Sequence, residues 1–292
     1  MKASTDRFRD EALTQLLDAA ISGGPPARAP LYDRLRRLSG MPGPRMNDAL
    51  VRAFSGEAVR RGAAADGLLA AMRAHHDDVA PYGHIDEFLA ILGVAATGAR
   101  AAADPKARTK LLEPLAEAAC DPRSRVRVEA TTGLVSVGVE VGPSFSDTLR
   151  VWIEDDDPYL ARAAIDAVAD PRLLPVLGAE RAAELLDATY ERIARERRAG
   201  RRSEGFNRLM RAMEVAAPAM IVKYPVIAEV LVKQAANGDE DVRLAIESAL
   251  PALKKGRASD RMPAIEEALK ASKKPSRDPR WDRLPGKRGR GK

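Results

Sequence analysis

The three histidines of this chain are its first candidates for chemistry, because His75, His76 and His84 fall within one short segment. Asp77 and Asp78 lie between them, and imidazole with carboxylate is a donor set that divalent metals accept. Neighbouring residues on a helix point about 100° apart, so two adjacent histidines rarely reach one ion. The segment also runs into a Pro-Tyr-Gly turn. We therefore expect a solvated helix end and loop, with no metal and no other cofactor.

The one cysteine, Cys120, is the next candidate. A nucleophilic cysteine needs a nearby base or cation to form its thiolate, and no histidine lies close to it in sequence. We expect a small, half-buried thiol at the end of a helix. A lone cysteine also excludes an internal disulfide and a Cys-based zinc cluster and fits a reducing compartment.

Nucleotide chemistry and export are not indicated. The chain contains no GxxxxGK[ST] loop and no GxGxxG that follows a strand pattern. The first residues are charged where a signal peptide needs an apolar stretch, and no apolar run approaches the ~18–20 residues of a membrane span. We expect a cytoplasmic protein.

Cations gather in two places. In the first, 190–202, six arginines face two glutamates. Cations are favoured at a helix C-terminus by the helix dipole, so this cluster predicts either a solvated helix end or a contact for an anion, such as phosphate, nucleic acid or an acidic partner. The arginines proposed for such a contact are Arg195, Arg198, Arg201 and Arg202.

The second place is the C-terminal segment 270–292, which holds ten cations against two acids, a charge of +8 that leaves −2 for residues 1–269. Frequent Pro and Gly with few apolar residues predict a disordered basic tail. Trp281 has no core to enter there, which favours docking onto another surface. A merely solubilising tail is the alternative to contact with nucleic acid, with an acidic protein partner or with an anionic membrane. The candidate contact residues are Lys273, Lys274, Arg277, Arg280, Trp281, Lys287, Arg288 and Arg290.

The elements that must position these residues are helices. The chain has 53 alanines and only 4% aromatic residues, a composition that favours helices over strands. The Pro- and Gly-rich segments 22–30 and 41–46 are predicted turns that break the first fifty residues into short helices. The segment 56–69 is predicted as one further helix.

Internal repeats organise the rest of the chain. Segments beginning at Asp121, Asp156 and Gly238 open with acidic residues, which can cap a helix, and then place an arginine after an apolar residue or alanine. A weaker copy lies between the second and the third. Arginines recur in steps of 35, 46 and 35 residues, and such a period predicts stacked helix pairs, an α-solenoid. These arginines are Arg127, Arg162, Arg208 and Arg243. The predicted first helices are 110–119, 146–154, 180–198 and 223–236.

The stretch LLEPLAEAACDPRSRVRVEATTGL, residues 111–134, resembles a HEAT repeat, with Pro114 in its first helix and Asp121, Val126 and Arg127 opening its second. The resemblance implies a right-handed α-solenoid of HEAT-like helical hairpins whose successive repeats are linked by an Asp–Arg ladder. The implied ladder is Asp121–Arg127, Asp156–Arg162 and Asp241–Arg243, with Arg208 as the corresponding residue of the weaker copy. We divide the chain into an irregular helical cap or set of repeats (1–104), HEAT-like repeats of about four helix pairs (105–269) and the tail (270–292). A separate domain over 1–104 is the alternative.

The resemblance leaves three functions open, the third being a HEAT-like lyase or chaperone that acts on a protein-bound cofactor, which the sequence neither supports nor excludes. The first is a non-enzymatic protein-binding scaffold or adaptor, with a partner on the concave face and the basic tail adding electrostatic contact. The second is a nucleic-acid-binding protein, related to the HEAT-like DNA alkylation-repair glycosylases, which use aromatic and acidic side chains on a concave basic face. Trp152 and Asp156, four residues apart, would serve that role. Against it, the run Asp155–Pro158 predicts a turn and helix cap, with Asp156 as the cap, and Trp152 is expected in the core.

Overall fold

A computed structural model describes residues 11–43, 45–198, 203–255 and 259–272. All regular structure in these ranges is helical and none of it is strand, which confirms the all-α prediction. Short 3₁₀ turns precede several of the helices. The α-helices are α1 (Glu11–Ser22), α2 (Pro25–Leu38), α3 (Asp48–Arg61), α4 (Asp66–Arg73), α5 (Glu87–Ala103), α6 (Arg108–Ala119), α7 (Ser124–Val141), α8 (Ser146–Glu154), α9 (Pro158–Val168), α10 (Leu174–Arg198), α11 (Glu204–Lys223), α12 (Ala228–Ala236), α13 (Glu240–Lys255) and α14 (Met262–Ala271).

Local chemistry sets where several helices begin and end. The side chain of Asn47 accepts the backbone N–H of Leu50 at 3.0 Å and so caps α3. The side chain of Asp157 caps α9 in the same way. Gly142, whose φ is 86°, follows the end of α7 in a conformation that L side chains rarely adopt. These caps satisfy N–H groups or release the chain into a turn where a helix must stop.

The helices pack in a repeating order. Helices α3, α5, α7, α9, α11 and α13 each contact the next member of that series, and we call them the stacked row. Each even-numbered helix from α4 to α14 packs against a member of this row. Their apolar faces form a continuous buried core of Ala, Leu, Val and Ile, with few aromatic side chains. Small side chains therefore let the helices of the stacked row approach closely.

The closest approach is between α5 and α7. A Cβ added at Gly98 would lie 2.4 Å from the Cα of Gly133, a distance that real Cβ atoms do not show. A Cβ at Gly133 would lie 2.9 Å from the Cα of Gly98. Two glycines, one on each helix, therefore bring the two backbones into contact. This pair fixes the spacing of the central part of the stacked row.

Most of the predicted helix positions agree with the structure, with corrections at the ends. Helix α8 spans the predicted residues, and α6 and α10 begin a few residues before their predicted starts. Helix α10 includes a kink at Gly178, whose φ is 77°, close to the predicted start at residue 180. The helix predicted from Lys223 begins instead at Ala228, because Lys223 ends α11 and Pro225–Ile227 form a 3₁₀ turn.

Two N-terminal predictions were wrong. Only the first residues of the segment 22–30 form a turn, because α2 begins at Pro25. Pro25 and Pro26 occupy its first turn, where the backbone N–H that proline lacks would have no partner within the helix. The segment 56–69 is not one helix. It contains the end of α3, a 3₁₀ turn that begins at Gly62, and the start of α4. The segment 41–46 does connect α2 to α3, as expected.

None of the helices within the ranges given above is both long and apolar enough to cross a bilayer.

Candidate functional site

A groove of about 490 Å³ runs between α3 and α7 over the surface of α5. We call it the α3–α7 groove. Its walls carry charged, hydroxyl and apolar side chains from three consecutive members of the stacked row, and one arginine comes from the turn after α9. The lining residues are Val51, Arg52, Ser55, Gly56, Val59, Arg60, Ala95, Ala99, Glu129, Thr132, Gly133, Ser136 and Arg172.

The groove exists because the side chains along its floor are small. Helix α5 contributes only Ala95 and Ala99, one turn apart, and α7 contributes Gly133. Gly133 is also the residue at which α5 and α7 touch. Any larger side chain at these positions would fill the space that the flanking helices enclose. The same choice of residues therefore sets the helix spacing and leaves the groove open.

Glu129 is the charged group that distinguishes this groove. Its side chain is half-buried, and none of the hydrogen bonds or ion pairs within the described residues involves it. Burial raises the pKa of Glu129 to about 7, and the nearby charge of Asp48 adds to the rise. A half-buried carboxylate without a partner is costly for a fold to keep. Such groups are found more often where a ligand or partner supplies the missing interaction.

Two of the arginines on the groove have carboxylate partners of their own. Arg60 forms an ion pair with Glu57, one turn earlier in α3. Arg172 binds both carboxylate oxygens of Asp170, at 3.0 Å each. Two of the positive charges around the groove are thus already balanced within the chain, and neither is directed to Glu129.

A second concave region lies where the α8–α9 turn meets the start of α11. We call it the Tyr159 recess, and it measures about 630 Å³. Three of its four carboxylates are engaged in the fold, and the fourth, that of Asp156, is exposed. Asp157 caps α9, Glu196 is paired with Arg192, and Glu204 is paired with Arg208. The recess is lined by Asp156, Asp157, Pro158, Tyr159, Glu196, Ser203, Glu204 and Gly205.

The contacts of the predicted ladder arginines differ from those implied, and within the described residues only Arg127 contacts its implied partner, Asp121, through the main-chain carbonyl. Arg127 donates from Nη1 to the backbone carbonyls of Asp121 and Pro122, and its guanidinium lies 5.1 Å from the centre of the Tyr159 ring. The carboxylate of Asp121 is instead bound by Arg123. Arg127 therefore secures the turn between α6 and α7 through main-chain oxygens.

The other ladder arginines pair within their own helices. Arg162 lies 3.3 Å from Asp166 rather than binding Asp156. Arg243 binds Glu247 at 3.0 Å, and Arg208 binds Glu204 at 3.0 Å. Each pair is spaced four residues apart, where side chains on a helix meet. Asp241 is buried at the start of α13.

The sequence did not indicate a second kind of arginine contact, in which buried arginines bind the backbone carbonyls of turns. Arg123 is 2% exposed and donates to the carbonyls of His75 and Ala80 while it binds Asp121. Arg192 is 4% exposed and donates to the carbonyls of Asp155 and Asp156. Guanidinium donors arranged in a fixed fork suit such paired acceptors. The contacts of Arg192 hold the turn that borders the Tyr159 recess.

The proposed anion contacts fall mostly beyond what the structure describes. Arg195 is exposed on α10. Arg198 is the last residue of α10, and its side chain lies outside the described part. Outside the described residues lie also Arg201, Arg202, Lys273, Lys274, Arg277, Arg280, Trp281, Lys287, Arg288 and Arg290.

The residues considered for catalysis have structural roles. Trp152 is 7% exposed and belongs to the core, as expected. The prediction that Asp156 caps α9 was wrong: Asp156 lies exposed in the turn before α9, and the cap is Asp157. A cap must be the residue next to the first helical position, and Pro158 holds that position.

Cys120 and His75 are each in contact with other side chains of the fold. Cys120 is half-buried after the end of α6, and its pKa is raised to about 12 by burial and then by a hydrogen bond to Asp157. The rings of His75 and Tyr32 meet edge to face, with centroids 5.4 Å apart. Among the described residues no three His, Cys, Asp or Glu side chains are arranged to hold a metal ion.

The α3–α7 groove had only a weak signal in the sequence. Glu129, Thr132, Gly133 and Ser136 recur at helical spacing and form one small, polar face. That pattern is indistinguishable from a solvent-exposed face until the neighbouring helices are known. The comparisons add no family to this description, since no protein-family model matches the chain and no curated protein matches it significantly.

Proposed function

We propose that this protein is a non-enzymatic scaffold or adaptor that acts in the cytoplasm, built as a right-handed α-solenoid of HEAT-like helix pairs. The ordered contacts of the stacked row, with the even-numbered helices packed against it, support this architecture. A protein partner binds along the stacked row. The basic tail adds electrostatic contact.

The single observation that carries the proposal is the character of the concave regions. The α3–α7 groove presents mixed charges, hydroxyl groups and small apolar side chains, and the Tyr159 recess is acidic. An extended basic track, which binding to nucleic acid through phosphates requires, is found at neither. Mixed polar and apolar surfaces suit protein partners.

Site-specific photocrosslinking of the full chain tests the scaffold proposal. A photoreactive amino acid at Ser55 or Ser136 places the probe in the α3–α7 groove, and the same probe at Arg150, exposed on α8, is the matched control. We expect discrete crosslinked partner bands from the groove positions that the control position does not give. The purified partner should then bind the full chain in a direct titration. Equal bands at all three positions, or none, would contradict the proposal.

Binding to nucleic acid is the second candidate, and the charge of +8 over 270–292 favours it. The test is the affinity of the full chain for a labelled DNA duplex over a range of salt concentration. A tail-driven contact predicts a steep fall in affinity with salt, which a variant with Lys287, Arg288 and Arg290 changed to Ala reduces. Binding to the duplex that falls steeply with salt, and that the variant weakens, would favour this candidate over the scaffold.

The glycosylase version of that candidate has less support. Trp152 packs in the core and is not available to stack on a base. Asp156 projects from a turn whose main chain is held by Arg192. Release of alkylated bases by the full chain, lost in Asp156→Asn, would overturn the scaffold proposal.

A further inference from the structure

We propose that the α3–α7 groove binds a lysine or arginine side chain of a protein partner, and that the carboxylate of Glu129 receives the cation. This inference rests on the proposed scaffold function and names the chemistry of its partner.

The charges around Glu129 leave a negative site. Asp48 at the start of α3 is the neighbour whose charge acts on the Glu129 carboxyl, and its sign is the same. Arg60 and Arg172 are paired with Glu57 and Asp170, and Arg52 lies on the α3 wall. Helix α5 contributes only alanines. A cation from outside would therefore find two carboxylates in reach of its charge.

The arginine one turn before Glu129 on the same helix is directed elsewhere. Arg125 precedes Glu129 by one turn of α7. Its Nη1 lies 3.6 Å from Oε2 of the buried Glu87, and its guanidinium lies 5.1 Å from the centre of the Tyr82 ring. An arginine held by a carboxylate on one side and an aromatic ring on another is not available to neutralise Glu129.

The shape of the groove suits a long side chain. Lysine and arginine carry three or four methylene groups that pack on apolar surface while the charged end reaches a polar group. Ala95, Ala99, Val51 and Val59 provide that surface. The hydroxyl group of Thr132 lies one turn from Glu129 and can accept a second hydrogen bond from the cation.

Binding of this kind would depend on pH, because Glu129 must be ionised to receive the cation. With a pKa of about 7, its ionised fraction falls about tenfold between pH 8 and pH 6. The three histidines of the chain do not line the groove, so Glu129 is the group on the groove that titrates in this window. Glu129→Gln should remove this part of the pH dependence, together with most of the affinity for the cationic side chain.

Selection from a random peptide display library on the full chain at pH 8 tests the proposal. We expect the enriched peptides to share a Lys or Arg, and we expect a synthetic peptide from this set to bind at least about tenfold more weakly to Glu129→Gln. Its affinity for the unchanged chain should fall about tenfold from pH 8 to pH 6, and for Glu129→Gln it should change little. Glu140→Gln, an exposed change on the same helix, is the matched control and should bind as the unchanged chain does.

The outcomes separate this inference from the scaffold proposal. Peptides that bind the unchanged chain and Glu129→Gln equally, or that share no cationic residue, would overturn the assignment of the groove and leave a scaffold that binds elsewhere. No enrichment over an unrelated control protein would count against both. Because Gln is close to Glu in shape, the variant is expected to fold, and its thermal melting curve verifies this.

Discussion

The α3–α7 groove and the Tyr159 recess are both concave and both carry carboxylates, yet these carboxylates differ in whether they have partners in the fold. In the recess, Glu196 and Glu204 each have an arginine partner, and Asp157 caps a helix. In the groove, Glu129 has no ion pair within the described residues. Three of the four acids of the recess therefore stabilise the fold and the fourth, Asp156, is exposed to water, whereas Glu129 in the groove is half-buried. Concavity and acidity alone do not separate a binding site from a structural turn.

The largest loss of stability is expected when Arg192, which pairs with Glu196 of the recess, is replaced. Its side chain is 4% exposed, pairs with Glu196 and donates to the carbonyls of Asp155 and Asp156. Arg192→Met leaves Glu196 as a buried, unpaired charge, so we expect a loss of about 3–5 kcal/mol in the free energy of unfolding. Urea denaturation measures it.

Arg195→Met is the matched control, because Arg195 is exposed on the same helix. We expect the control to change the free energy of unfolding by no more than about 0.5 kcal/mol. A loss below about 1 kcal/mol for Arg192→Met would show that the acids of the recess do not depend on this arginine.

A smaller loss of stability is expected when the contact between Gly98 and Gly133, beneath the groove, is disrupted. In Gly98→Ala the new Cβ meets the Cα of Gly133 at 2.4 Å, so α5 and α7 must move apart. We expect a loss of about 1–3 kcal/mol in the free energy of unfolding. Gly67→Ala on α4, whose Cβ would meet nothing within 4 Å, is the control and should gain about 0.5–1 kcal/mol from helix propensity. Equal effects of both changes would contradict the close contact.

The change Glu129→Gln should stabilise the protein at pH 8. The pKa of Glu129 is about 7 in the folded chain and close to 4.5 in the unfolded chain. Between these values the folded chain holds a proton that the unfolded chain has released, so the contribution of Glu129 to stability falls as pH rises. We expect Glu129→Gln to gain about 1 kcal/mol at pH 8, after allowance for screening by solvent, and little at pH 4.5. Thermal unfolding across this range, with Glu140→Gln as control, measures it. A gain that does not vary with pH would contradict the raised pKa.

The smallest effect on stability is expected for Cys120, which lies in the turn beside the recess. The prediction here concerns the reactivity of its thiol. With a pKa of about 12, its thiolate is scarce at pH 8, and we expect alkylation by iodoacetamide to be at least about a hundredfold slower than for a free thiol. Unfolding in urea should restore the ordinary rate. Asp157→Asn should raise the rate only in part, because burial is the larger cause of the shift. Fast labelling of the folded chain would contradict the assigned environment.

The sequence predicted more of the helices than of the contacts between them. Caps, prolines and glycines act over a few residues, so the bounds of α8 agree with expectation. The errors at Pro25 and Lys223 arose because a proline can start a helix as well as end one. The pairing of Arg162 with Asp166 was missed because an acid four residues later on the same helix face competes with the implied partner in the preceding turn.

What the sequence determined by itself is the all-helical class, the burial of Trp152 and the separation of charge between body and C-terminal segment. These follow from composition and from spacing along the chain. The tertiary structure alone decided that Gly98 meets Gly133, that Arg60 and Arg172 are already paired, and that Glu129 is left half-buried beside Asp48. The physical reason is that a carboxylate's pKa and partner depend on groups from other helices, and local sequence carries no record of which helices will be adjacent.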